Sequence, residues 1–214
     1  FVRLMGYTHY YYVSSYYKQE AWDSLLKDVK KLLVLPIPKV CAVGDKPPYE
    51  YENFDINNLG DLINSDKRSR EDGQYNIDET EISFNGIGQL SHEQFHIYQR
   101  MPPDVFERQE EFAKRFAVPP GVGATAADRV REKGGTTILH PYFEFTKTAR
   151  KPYDIVVQCC LILAKKHLGK GIAVSSDGGK NDWTDAINII EKNFGYKVKT
   201  RWSRDEGEIF SKVK

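Results

Sequence analysis

The sequence predicts an α/β (α+β) fold, a single-domain sandwich over residues 1–214 with a mixed sheet, a C-terminal βαβα unit and long irregular insertions. Three observations carry that expectation. The chain opens on a Tyr-dense extended segment and closes on short apolar runs alternating with helical ones. Hydrophobic residues make up 40% of its 214 residues, enough for a sizeable core.

Leu4 to Val13 reads as a strand, because Tyr and Val suit a half-buried pleated surface. Trp22, Leu25, Leu26, Val29, Leu32 and Leu33 then recur at helical spacing, and Pro36 and Pro38 stop that amphipathic helix. Residues 36–79 are rich in Pro, Asn, Asp and Gly and show no sustained period. They form one insertion, and residues 99–135 form the other. Between them, Ile82 to Asn85 is a short strand before a Gly86/Gly88 turn, with His92 to Tyr98 as its hairpin partner. After Pro102-Pro103, Asp104 caps a helix carrying Val105, Phe112 and Phe116. Gly121 to Gly135 is loop-like, with at most a short helix that Thr125 and Asp128 cap.

The last third has the clearest pattern. Tyr142 to Thr146 is a strand, and Pro152 takes the first position of a helix. That helix is apolar on nearly all sides from Ile155 to Leu163, which marks it as buried, and Gly169 ends it. Ile172 to Ser175 is the next strand. A turn at Ser176–Gly179 leads to a helix carrying Trp183, Ala186, Ile187, Ile190 and Phe194, ended by Gly195. If the two strands are parallel, the unit is a right-handed βαβ crossover.

Charge narrows the function classes. With 31 basic and 30 acidic residues the net charge is +1, which argues against a nucleic-acid partner and permits self-association. No apolar run is long enough to span a membrane. The first residue is Phe1, not Met, so the start is processed or missing and a targeting segment could have gone with it. Cys41, Cys159 and Cys160 are an odd number, so at least one stays unpaired within the chain. They read either as buried thiols or as bridges between molecules.

Two sets of residues could carry chemistry. His92-Glu93-Gln94-Phe95-His96 fits H-E-x-x-H, which on a helix binds zinc through both imidazoles while the glutamate polarises a water. Glu110, Glu111 or His140 would complete the ligands. Phe95 and Ile97 alternate with polar neighbours, however, and that suits a strand, on which the ligand geometry fails; no metal or cofactor is expected. The second set is a pair of loops. Residues 146–151 hold Lys147, Thr148, Arg150 and Lys151, and residues 175–180 hold Ser175, Ser176 and Asp177. Each lies between a strand end and a helix start, where N–H groups and the helix dipole favour an anion. If the strands are parallel neighbours, both loops sit at the carboxyl edge of the sheet. Their functional reading is an anion or phosphate site with Asp177 as a base. Their structural reading is an Arg150–Asp177 ion pair with hydroxyls capping helices. His9 lies in the Tyr-rich strand and joins this candidate site, although a lone His in a strand is more often hydrogen-bonded structure. No Ser/His/Asp or Cys/His set has telling spacing, and neither a Walker sequence nor G-x-G-x-x-G is present.

Four segments are familiar as a group: Gly6-Tyr7-Thr8-His9-Tyr10, Ile82-Ser83-Phe84-Asn85-Gly86, Lys147-Thr148-Ala149-Arg150-Lys151-Pro152-Tyr153-Asp154 and Ser175-Ser176-Asp177-Gly178. Together they resemble a family of small bacterial and fungal proteins, most without an assigned activity. One fungal branch of it, octin, forms the octahedral vacuolar crystals that sediment in gravity sensing in zygomycetes. The resemblance covers both ends of the chain and the third quarter, and it implies that His92–Tyr98 is a strand. It also implies a self-assembling structural protein whose partner is itself, packed in the vacuole and reinforced by intermolecular disulfides. The alternatives are a cytoplasmic protein, an enzyme or anion/phosphate binder using the loops at 146–151 and 175–180, and, after these, a zinc peptidase using His92, Glu93 and His96.

Overall fold

In a computed structural model the described residues are 7–37, 56–63, 75–105, 107, 142–202 and 208–214. Along them run β1 (Thr8–Val13), α1 (Gln19–Leu33), β2 (Asn76–Ile77), β3 (Glu81–Phe84), β4 (Phe95–Tyr98) and β5 (Tyr142–Lys147). There follow α2 (Asp154–Leu168), β6 (Ile172–Ser176), α3 (Thr184–Phe194), β7 (Val198–Thr200) and β8 (Phe210–Val213). The fold is mixed α+β, as the sequence predicts.

The main sheet has the order β5-β1-β6, and β1 is antiparallel to both neighbours. It follows that β5 and β6 run parallel to each other and that α2 makes the crossover between them. The expected βαβα unit is thus present, but its two strands are not neighbours, because β1 occupies the space between them. The carboxyl ends of β5 and β6 therefore flank the amino end of β1. Ile209 adds to the far side of β6 through a hydrogen bond from its N–H to the Val174 carbonyl (2.8 Å), and this brings the β7–β8 ribbon alongside.

From Tyr10 onward β1 alternates, with Tyr11 and Val13 buried and Tyr10 and Tyr12 half-buried on the opposite face. On that outer face Phe143 stacks with Tyr10 at 6.1 Å and with Phe145 at 6.0 Å between ring centroids. The inner face packs on α2, which also meets α1, α3 and β8. Enclosed on so many sides, α2 is buried without a break from Ile155 to Ala164. Glycines with positive φ end α2 (Gly169, 57°) and α3 (Gly195, 72°), a conformation that a Cβ would strain. Pro152 does not open α2: the helix starts at Asp154 after a turn, with Tyr153 at the N-cap.

Burial revises the role of two cysteines. Cys159 and Cys160 lie in the middle of α2 at 0% and 1% exposure, and burial pushes the Cys160 thiol well above its ordinary value. As placed, neither reaches another molecule, so the expected intermolecular bridges cannot use them without opening the core. Cys41 lies outside the described residues.

The second sheet, β2-β3-β4, contains the expected hairpin, although β4 is confined to Phe95–Tyr98. At its turn, a Cβ on Gly86 would overlap the Leu90 carbonyl and crowd the Tyr153 ring, which explains a glycine there. The insertion at 36–79 is ordered where described: Asn58 and Asp61 form a capping box on a 3₁₀ turn, and β2 lies near its end. In the insertion at 99–135, residues 103–105 are helical, so Asp104 lies inside the first turn and does not cap it. Phe112, Phe116, Thr125 and Asp128, like the proposed third ligands Glu110, Glu111 and His140, lie outside the described residues.

In a Cys41→Ser variant, native protein is expected to resist thiol reagents while the denatured chain reacts at both remaining cysteines. Intact-mass spectrometry after timed alkylation reads this, and rapid native modification at Cys159 or Cys160 would refute the packing of α2.

Candidate functional site

The antiparallel registers place Thr146, His9 and Ser176 side by side across β5, β1 and β6. Because α2 begins directly below this row, Asp154 at its first position meets the central histidine. His9 Nε2 lies 2.7 Å from Asp154 Oδ1, and His9 Nδ1 lies 2.9 Å from Ser176 Oγ. A carboxylate accepts but does not donate, so Nε2–H is the donor to Asp154. In the neutral ring Nδ1 is then the acceptor for the Ser176 hydroxyl. The order hydroxyl, imidazole, carboxylate is that of a nucleophile activated by an oriented base.

The surroundings hold this chain tightly. His9 is 0% exposed, with the Tyr7 and Trp183 rings set edge-on to it, each with its centroid 5.0 Å away. Asp154 also accepts from Thr148 Oγ1 (2.5 Å) and from Gln158 Nε2 (2.8 Å), so its carboxylate is fixed from three directions. The dipole of α2 favours a negative charge at this position as well. Gln158 Nε2 continues to the Tyr7 hydroxyl (3.2 Å), which also lies in reach of Ser176. Burial, with the Asp154 charge adding to it, pushes the Tyr7 phenol far above its ordinary value, so its O–H keeps its proton. A side chain at Gly178 would collide with that hydroxyl; its bare N–H instead donates to Ser176 Oγ (3.0 Å). The buried Gln158 Oε1 and Trp183 Nε1 have no hydrogen-bond partner within the described structure.

Above this cluster lies the loop after β5. Ala149 and Arg150 have φ of 52° and 58°, the left-handed region that costs a residue with a Cβ about 1 kcal/mol or more. Hydrogen bonds from the Thr148 and Ala149 N–H groups to the Tyr7 carbonyl, and from Lys151 N–H to the Thr148 carbonyl, hold the backbone there. The turn lays the Arg150 guanidinium over the Tyr7 ring, 4.0 Å from its centroid, where it pairs with Asp182. More than half of the Arg150 side chain remains exposed.

The two loops and His9 thus converge as the sequence suggests, with several roles changed. Arg150 pairs with Asp182, not Asp177. Asp177 is exposed and accepts from the Thr8 N–H (3.0 Å) and the Tyr10 hydroxyl (3.2 Å). Ser175 lies opposite Tyr10 on the outer face, away from His9. Lys147 contributes its N–H to Glu93 Oε2 (2.9 Å), and Lys151 reaches the Ser91 carbonyl. The α2 N-terminus, expected to attract a ligand anion, already holds Asp154. Tyr7, Asp154, Gln158, Asp182 and Trp183 were not among the candidate site residues; Tyr7 and Asp154 were visible only as members of the familiar segments.

The H-E-x-x-H segment does not form a helix. His92 and Glu93 precede β4 and His96 lies within it, so the one-turn spacing that zinc binding needs is absent. Glu93 ties the β5 end to this loop, and His96 pairs with Glu144 at 3.1 Å. Among the described residues no three His, Cys, Asp or Glu side chains are grouped to hold a metal ion. No helix there is long and apolar enough to cross a membrane. No family model, curated protein or solved structure matches the chain.

Asp154→Ala is expected to lower unfolding stability by about 3 kcal/mol, because it strips the buried His9 of its charged partner. Ser176→Ala should cost about 1 kcal/mol, the value of one hydrogen bond. Urea denaturation compares them, and equal losses would show that Asp154 does not anchor the cluster.

Proposed function

We propose that the protein is an enzyme in which Ser176 is a nucleophile, His9 its base and Asp154 the group that orients and charge-balances the imidazole. The observation that carries this reading is the Ser176–His9–Asp154 hydrogen-bonded chain at 2.9 and 2.7 Å. A buried carboxylate and imidazole contribute little net stability, so a hydroxyl–imidazole–carboxylate chain assembled from three separate elements is poorly explained by folding alone. The left-handed pair beside it is local strain of the kind that collects at active sites. Ser176 Oγ attacks an electrophilic centre while its proton passes to His9 Nδ1, and the imidazolium is stabilised by Asp154. Gly178 N–H, which donates to Ser176 Oγ at 3.0 Å, and the protonated Tyr7 hydroxyl within reach of it are the polar groups next to the reacting oxygen, where negative charge develops.

A second reading makes the chain a self-assembling body related to octin, stored in the vacuole. The outer face of the main sheet favours it, since Phe145 is 49% exposed at the end of the Tyr10–Phe143–Phe145 aromatic row. Aromatic rings supply large contact area. The two readings are compatible, because they use opposite faces of one sheet.

A fluorophosphonate probe is expected to label native wild-type protein at Ser176, with no labelling of Ser176→Ala and at least about a hundredfold slower labelling of His9→Gln. Peptide mapping locates the adduct. Folded protein whose Ser176 stays unmodified at saturating probe would overturn the enzymatic reading.

For the second reading, Phe145→Lys should shift sedimentation towards smaller species at high protein concentration. Reductant should change little through Cys159 or Cys160. A monomer for the unsubstituted protein under the same conditions would refute the assembly reading.

A further inference from the structure

The buried position of the base restricts the substrate, an inference that rests on Ser176 acting as nucleophile. In an ordinary serine hydrolase cycle the imidazole returns the serine proton to the leaving group, so it must touch that group. Here His9 is 0% exposed, closed in by Tyr7, Trp183 and the flanking strands. Its Nδ1 meets the Ser176 hydroxyl and its Nε2 meets Asp154. Because no part of the ring reaches the surface, the base can exchange a proton with Ser176 Oγ but cannot touch a departing alcohol or amine. A leaving group must therefore depart as a stable anion.

The surroundings supply a receptor for that anion. Arg150 lies over the face of the Tyr7 ring, whose hydroxyl is in reach of Ser176, so one phenol touches both the guanidinium and the nucleophile. Its position is imposed by two consecutive left-handed residues, and its fork is held by Asp182, which also accepts from the Gly179 N–H at 2.8 Å. Guanidinium groups bind phosphate oxygens bidentately, and Arg150, 55% exposed against 27% for its partner Asp182, presents its outer side to a doubly charged anion.

We infer that the substrate is an activated acyl donor whose leaving group is a phosphate, an acyl phosphate in the simplest case, with Arg150 binding the phosphate. Ser176 Oγ forms a bond to the acyl carbon, its proton moves to His9 Nδ1, and the C–O bond to phosphate breaks with its electron pair on the phosphate. In the second half, water or another nucleophile attacks the acyl carbon. The Ser176 oxygen leaves, recovers the proton held by His9, and the attacking group loses one proton to solvent. One proton shuttles between two atoms, so His9 never contacts the substrate.

The test incubates the full chain with acetyl phosphate, p-nitrophenyl acetate and ethyl acetate, following inorganic phosphate, nitrophenolate and acetyl-Ser176. Acetyl phosphate and p-nitrophenyl acetate should acylate Ser176, while ethyl acetate, whose leaving group needs a proton, should not. Arg150→Gln should slow acetyl phosphate at least about tenfold more than p-nitrophenyl acetate. Equal slowing of both would remove Arg150 as the phosphate receptor. Turnover of ethyl acetate would show that His9 does protonate leaving groups. Fluorophosphonate labelling without any reaction of acetyl phosphate would leave the nucleophile standing and refute this substrate class. Failure of every probe would instead refute the nucleophile itself.

Discussion

The contact on which the rest of the molecule depends is the one between His9 and Asp154. It joins the first described strand to the first turn of the central helix, across 145 positions of sequence. Everything near it is arranged to keep both groups in place. Thr148 and Gln158 donate two further hydrogen bonds to the carboxylate, the α2 dipole supports its charge, and Trp183 closes the side of the ring. A pair so enclosed is costly to break and of small net benefit to make. Such a pair specifies where β1 sits relative to α2, and the position of β1 in turn sets the register that delivers Ser176 to the imidazole.

Much of the fold was legible in the sequence because it depends on local pattern. The period of Trp22, Leu25, Leu26, Val29 and Leu32 reports one buried face, and these are the residues that α1 buries. The unbroken apolar run of α2 reports a helix covered on several sides, which its neighbours confirm. Gly169 and Gly195 mark ends because a positive φ is a property of one residue. The strand order was not legible. Parallel β5 and β6 looked like neighbours, and nothing in either sequence announces that β1 lies between them.

The site was legible in pieces. His9, the two loops and most of their polar residues could be picked out, because hydroxyls and cations between a strand and a helix are locally conspicuous. The relation between them could not, since Ser176 and His9 are 167 positions apart and meet only through an antiparallel register. Arg150 was paired with the wrong aspartate for a similar reason. Asp177 is nearer in sequence to Ser176, but the left-handed turn carries the guanidinium to Asp182 instead. The H-E-x-x-H pattern shows the reverse error, a motif conspicuous in letters that the alternation of Phe95 and Ile97 had already assigned to a strand.

The central position of β1 has a consequence in time. Its partners are β5 and β6, both in the last third of the chain, so ribosomal synthesis completes a Tyr-rich strand long before either neighbour exists. Loop closure over such separations is slow, and an unpaired aromatic strand exposes both hydrogen-bonding edges while it waits. The nascent chain must therefore hold β1 apart from other chains until β5 and β6 emerge. The strand that the finished molecule protects best is the one that newborn copies leave most open to each other.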